Sequence, residues 1–167
     1  MRGWTGLEIE PMCRQLRGLA TLMLTLGLTV GCTHVVSPLA RDAAGSATLA
    51  ACDGPPRCIV SRDDAGKRRV EPLRLDASPS LARLQLMLWL TGQEGVEIVT
   101  AGDDYIHAVF ITPRLRYRDD VEFLLRAEDD GSRIDIRSES RIGWYDWNTN
   151  RKRVEHMRRE LAAAGMR

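Results

Sequence analysis

The sequence predicts an α+β domain: a two-layer sandwich whose mostly antiparallel sheet of about five strands is covered on one face by two helices. Three observations point there. Four strand-like runs follow one another between Gly or acidic turn residues, an apolar helical stretch precedes them, and an amphipathic helical stretch comes last. Strands in succession, rather than strict alternation with helices, favour an antiparallel meander over a parallel sheet.

Taken in order, Thr33 to Ala51 mixes Ser, Ala, Gly and Thr without periodicity and reads as a flexible spacer, so residues 32–51 are assigned to a tether and 52–167 to a single domain. Arg68 to Leu75 alternates and ends at the turn-forming Asp76-Ala77-Ser78-Pro79. Pro72 lacks a backbone donor and places this first strand at an edge. Ser78 or Ser80 then caps a helix that stops at Gly92. Its Leu81, Leu84 and Leu88, flanked by Leu86, Trp89 and Leu90, make it apolar on most sides, so it is expected to be largely buried.

The four strand runs are Gly95 to Ala101, Tyr105 to Thr112, Asp120 to Arg126 and Arg133 to Ser138. Side chains alternate across a strand, which puts Ile106, Ala108 and Phe110 on one face, as it does Val121, Phe123 and Leu125, and Ile134 and Ile136. Those faces are the expected core. The last helix, Asn150 to Ala164, lines up Val154, Met157, Leu161 and Ala164 while Arg151, Lys152, Glu155, Arg158 and Arg159 fall largely off that side.

Ahead of the domain, Arg14 and Arg17 precede an apolar run from Leu19 to Val30 that stops at Gly31-Cys32. This mostly apolar run of about a dozen residues falls short of the roughly 20 needed to span a bilayer, which favours a cleaved signal over residues 1–31. Leu28-Thr29-Val30-Gly31-Cys32 resembles a bacterial lipobox, in which the Cys becomes the lipid-bearing first residue, although Thr29 stands where Leu is usual. An ordinary secretory signal or an uncleaved anchor is the alternative, and either also implies export. Glu8 and Glu10 are unusual in a positively charged leader, and Met12 makes a better start. Thr33, where a retention signal would have Asp, points to the outer membrane of a Gram-negative cell, facing the periplasm.

The formal charge of the 167-residue chain is +1. Without Arg2, Arg14, Arg17, Glu8 and Glu10, basic and acidic residues are equal in number, which argues against a nucleic-acid partner. Of four cysteines, Cys13 lies in the leader and Cys32 is the lipidation candidate. Cys52 and Cys58 remain as an even pair and are expected to form a bridge in an oxidising compartment, with two free thiols as the alternative. The five residues between them do not match zinc-knuckle or redox spacing. The acidic clusters Asp103-Asp104, Asp119-Asp120 and Glu128-Asp129-Asp130 fall at turns and lack the ligand spacing of an EF-hand, so no metal and no cofactor is expected.

Ser138-Glu139-Ser140-Arg141-Ile142-Gly143, followed by Asp146 and then Asn150-Arg151-Lys152-Arg153-Val154-Glu155, resembles the closing motif of a bacterial family known as domain of unknown function 1499. Tyr105-Ile106-His107-Ala108-Val109-Phe110 and Asp119-Asp120-Val121-Glu122-Phe123 are similar to two of its strands, and Cys58-Ile59-Val60-Ser61 to its Cys-Val-Ser-Ser with one residue inserted. The resemblance runs from about Cys52 to the last residue. It implies kinship of fold and, in many members, association with the envelope, but carries no activity.

Period two turns Tyr105, His107 and Val109 away from the core, alongside Glu122, Asp135 and Arg137. That face is read as solvated and laced with cross-strand ion pairs, with a binding surface as the sharper alternative. An acid-base enzyme using His107 and Glu122 is the runner-up, since no Gly-x-Ser-x-Gly and no activated cysteine accompanies them. In the loop before the last helix, Arg141, Asp146, Asn150, Arg151 and Arg153 concentrate hydrogen-bonding groups beside Trp144, Tyr145 and Trp147. They serve either to cap and tie the loop or to bind an anionic or sugar-like envelope component, a protein, or acidic headgroups. The function expected is a lipid-anchored, non-enzymatic binding or structural module, attached to the membrane through Cys32.

Overall fold

A computed structural model describes residues 39–41 and 45–163. The leader, Met12, Cys32, most of the tether and Ala164 lie outside the described residues. Eight strands and two α-helices follow in the order β1 (Ala40–Arg41), β2 (Ala47–Thr48), β3 (Cys58–Val60), β4 (Leu73–Leu75), α1 (Pro79–Thr91), β5 (Val96–Ala101), β6 (Tyr105–Ile111), β7 (Arg118–Glu128), β8 (Gly131–Ser140) and α2 (Thr149–Ala163), with a 3-10 segment at Asp63–Arg68. Strands β3 and β5 to β8 pair antiparallel in the spatial order β3-β8-β7-β6-β5, and β4 also pairs with β8, which makes six strands where five were expected.

The meander from β5 to β8 has the faces that alternation demands. Ile106, Ala108, Val121, Phe123, Leu125, Ile134 and Ile136 form one core with Ala82, Leu86 and Leu90 of α1 and Val154, Met157 and Leu161 of α2, so both helices cover the same sheet face. Burial of this apolar surface, at roughly 25 cal/mol per Å², is the main force holding the two layers together. Gly131 turns β7 into β8 at φ 143, and a side chain there would sit 2.1 Å from the Leu75 carbonyl oxygen, so only glycine lets β4 lie against the hairpin.

Three expectations change, and one strand is new. The stretch Arg68 to Leu75 is not one strand: Pro72 cannot donate to a ladder, Leu73–Leu75 pairs at Ser132 to Ile134, and Arg69 makes only an isolated bridge to Val60. Strand β3, three residues long, was too short to leave a periodic signal, yet it pairs with Arg137 to Glu139. Helix α1 is capped by Ser78, whose side chain accepts from the Leu81 amide, and it stops at Gly92 as expected. It buries only one stripe, however, and Leu81, Leu84 and Leu88 are exposed.

The folded body also begins before Cys52. Leu49 is 1% exposed and packs with Val60 and Leu124 in a second, smaller core on the far face of the sheet. Arg126 Nη2 donates to the Ala47 carbonyl at 2.6 Å and Arg62 Nη1 to that of Leu49 at 3.0 Å. A disulfide joins Cys52 to Cys58 with Cα atoms 5.6 Å apart, and Arg68 donates to the Cys52 and Gly54 carbonyls within the same loop. The end of the assigned tether is thus packed structure, because a buried apolar side chain and two guanidinium donors hold it.

Candidate functional site

The face turned away from the helices is polar, as alternation implied, but it is not solvated: His107, Asp120, Glu122, Asp135 and Arg137 are all buried. Their charges are matched side by side across β6, β7 and β8. His107 Nε2 lies 2.8 Å from Asp120 Oδ1, and Arg141 grips both Asp120 oxygens at 2.7 and 2.8 Å. Burial pushes the Asp120 carboxyl up, but the hydrogen bonds from Arg141 and His107 outweigh it and hold the group below the ordinary carboxylate range. The Arg141 guanidinium is raised in turn by the same contact.

Glu122 stands directly opposite His107 in register, yet it serves other partners. Tyr105 Oη donates to Glu122 Oε1 at 2.7 Å and Arg137 Nη1 to Oε2 at 3.0 Å, while Arg137 also pairs with Glu139. Burial and the adjacent Glu122 charge push the Tyr105 phenol above its ordinary value. The expected His107–Glu122 pair is therefore replaced by His107–Asp120, one diagonal step away. Both Glu122 oxygens are taken, Oε2 by Arg137, which lies opposite Glu122 on β8, and Oε1 by Tyr105.

Beneath the start of α2, on the core side, lies a second polar cluster. Asn150 is fully buried; its Nδ2 is within 3.0 Å of the Arg57 carbonyl, Ser140 Oγ and Asp146 Oδ2, and its Oδ1 accepts from Ser138 and Arg153 at 2.6 Å each. Arg153 pairs with the buried Asp119 and lies 5.0 Å over the Phe110 ring. Asp146 caps the helix by accepting from the amides of Asn148 and Asn150 at 3.0 Å. Arg151 reaches back to the carbonyls of Arg69 and Lys67. Of the loop residues singled out as binding candidates, Arg141, Asp146, Asn150, Arg151 and Arg153 are thus all committed to internal partners.

The aromatic members are not. Trp144 and Trp147 are 77% and 78% exposed, Tyr145 is 46% exposed, and Ile142 stands beside them in solvent. Tyr145 and Trp147 meet edge to face at 5.5 Å. Trp147 and Asn148 both adopt left-handed backbone, at φ 54 and 61, a conformation that Asn tolerates but that costs roughly 1–2 kcal/mol for Trp147. The Asp146 cap and the Asn150 bonds hold the chain in it. A cleft of about 350 Å³ lies under this loop, with Tyr145 and Trp147 on one wall and Thr112 and Tyr117 of the β6–β7 turn on the other.

That turn, Pro113 to Tyr117, carried no weight in the sequence reading, although its alternation of Arg114, Leu115, Arg116 and Tyr117 was a visible signal. All of these residues are exposed. The Arg141 amide donates to the Arg118 carbonyl at 3.1 Å and brings the turn and the aromatic loop to the same end of the sheet. At the far end, a more open cleft of about 440 Å³ has Arg62, Arg126 and Arg133 in its walls, but Asp64 and Asp135 already pair with them. Among the described residues no three His, Cys, Asp or Glu side chains converge as a metal site, and no helix is long and apolar enough to cross a membrane.

Comparison with known proteins places the sheet, the disulfide and both polar clusters inside one family. The family model described as Protein of unknown function (DUF1499) matches residues 48–161, and the chain belongs to that family. The match begins one residue before the buried Leu49. No curated protein and no solved structure matches the chain.

Proposed function

We propose that this member of the family is a lipid-anchored domain of the bacterial envelope, facing the periplasm, that works by binding an envelope component rather than by turning over a substrate. The observation that carries the binding reading is the aromatic loop. Two tryptophans stand in solvent, and the left-handed backbone at Trp147 and Asn148 is held by a cap and a buried amide network whose members are otherwise fully used. Strain and exposed rings are both costly, and they persist together where a partner is met. The Leu19 to Val30 run before Gly31-Cys32 and the Cys52–Cys58 disulfide, which suits an oxidising compartment, support the anchor and the location.

The His107–Asp120 contact is the part of the molecule that an acid-base enzyme would need. A general base must reach the proton it abstracts, whereas His107 is 2% and Asp120 4% exposed, with Arg141 closing over the carboxylate. The arrangement is better suited to fixing β6, β7 and the start of the loop than to meeting a substrate.

A photo-reactive residue placed at Trp144 in the full-length chain tests the reading in intact cells. An adduct at position 144, and none at the exposed Glu160 of α2, is the expected result. Equal or absent labelling at both positions contradicts it. Labelling with radioactive palmitate that is lost in Cys32→Ala tests the anchor separately; an unlabelled, soluble chain removes it.

A further inference from the structure

We infer that the end of the sheet formed by the Pro113 to Tyr117 turn and the Ile142 to Trp147 loop docks on an anionic phospholipid surface, an inference that rests on the binding reading of the aromatic loop. The two segments supply the two halves of an interfacial surface. Trp144, Trp147, Ile142 and Leu115 are 77%, 78%, 57% and 66% exposed and present apolar area from two adjacent loops. Tyr and Trp rings favour the headgroup level, where an apolar body and a polar edge are both satisfied.

Charge selects the kind of surface. Arg114 and Arg116 are exposed and make no side-chain ion pair among the described residues, while the acids at this end other than the exposed Glu94 are already engaged. Asp119 is held by Arg153, Asp120 by Arg141, Glu97 by Arg118, and Asp146 by the first amides of α2. The patch thus offers two guanidinium groups without an ion pair, on the turn that neighbours the protruding rings. Guanidinium forks match phosphate oxygens, and a negatively charged leaflet attracts each such residue. A neutral sugar would fit the rings but leave the arginines unused. The Leu81, Leu84 and Leu88 stripe of α1 is also exposed, but the one charged residue of that helix, Arg83, is committed to the carbonyls of Ala101 and Gly102, and the stripe forms no part of the docking surface.

The test uses the processed protein from Cys32 onward, which lacks Trp4, in vesicles of phosphatidylcholine, with and without phosphatidylglycerol, in which the lipids carry bromine near the headgroup end of the acyl chain. Quenching of tryptophan fluorescence reports ring insertion. The expected result is quenching that needs phosphatidylglycerol, disappears in Trp144→Phe/Trp147→Phe, and weakens about thirtyfold in equilibrium terms in Arg114→Gln/Arg116→Gln, as two arginines at roughly 1 kcal/mol each imply. Both pairs of substitutions are at exposed positions and leave the core untouched, so circular dichroism should not change. Quenching that ignores phosphatidylglycerol or the arginines overturns the inference. Its absence, together with a protein adduct from the photo-reactive residue at position 144 in cells, also overturns it but leaves the binding reading standing. Absence of quenching and of any adduct overturns both.

Discussion

The imidazole of His107 is bonded to Asp120 at 2.8 Å and not to the Glu122 that faces it across the β6–β7 ladder. This one diagonal step joins the second strand of the meander to Arg141 at the root of the aromatic loop, because Asp120 accepts from both. It makes Asp120 the residue through which the buried face and the exposed loop share one support.

Asp120 also fixes a pH dependence. Its folded pKa is depressed below the unfolded carboxylate value of about 3.9, so its contribution to stability is fully present above that value and is lost as pH falls through the folded pKa. Asp120→Asn should cost about 3 kcal/mol near neutrality, since it removes the charge that compensates Arg141, and should flatten the acid side of the stability curve. Urea midpoints measured from about pH 6 down to pH 3 check this; an unchanged slope in the variant contradicts it.

Asn150 joins β8, the Arg57 carbonyl and the Asp146 cap through one amide. Asn150→Ala strands Ser138, Arg153 and Asp146 atoms and should cost about 2–3 kcal/mol. Because Asp146 positions Trp147, the variant should also change tryptophan anisotropy at temperatures where it is still folded. A loss of stability with no change in anisotropy would show that the loop does not depend on this support.

Helix α1 gives a sharper contrast within one element. Leu86 is fully buried, whereas Leu88 is 64% exposed. Leu86→Ala should destabilise by about 2–5 kcal/mol, and Leu84→Lys or Leu88→Lys by no more than roughly 0.5 kcal/mol. Thermal unfolding of the three variants distinguishes the observed orientation from a helix buried all round.

The Cys52–Cys58 bridge closes a short loop, which on the chain-entropy account is worth roughly 2 kcal/mol. Cys52→Ser/Cys58→Ser should lower the unfolding free energy by about that amount and hasten proteolysis near Ala47 to Gly54, which the Arg62, Arg68 and Arg126 side chains otherwise hold down. Equal proteolysis rates would show that those donors suffice alone.

How far the sequence could be read follows from what each signal encodes. Alternation in Ile106-Ala108-Phe110 and Val121-Phe123-Leu125 reports which side chains share a face, and the core formed on that face. It does not report what lies over the other face, so the polar side was taken as solvated. On that face Leu49, from a stretch without periodicity, packs with Val60 and Leu124. Leucine content likewise cannot say how wide a stripe α1 buries, because that is set by the surface it meets. The pairing of His107 was illegible for a similar reason: the ladder puts Glu122 opposite it, but Arg137 and Tyr105 compete for that carboxylate. The aromatic loop was visible as composition, and its division into committed polar residues and exposed rings required the contacts.

The most direct measurement is hydroxyl-radical footprinting of Trp144 and Trp147 in intact cells and in the purified full-length protein, with half-buried Trp89 as the reference. Both loop tryptophans are open to solvent in the isolated chain, so binding predicts strong oxidation in the purified protein and marked protection in cells, with Trp89 unchanged. Equal oxidation of Trp144 and Trp147 in the two settings would contradict a binding role for this loop.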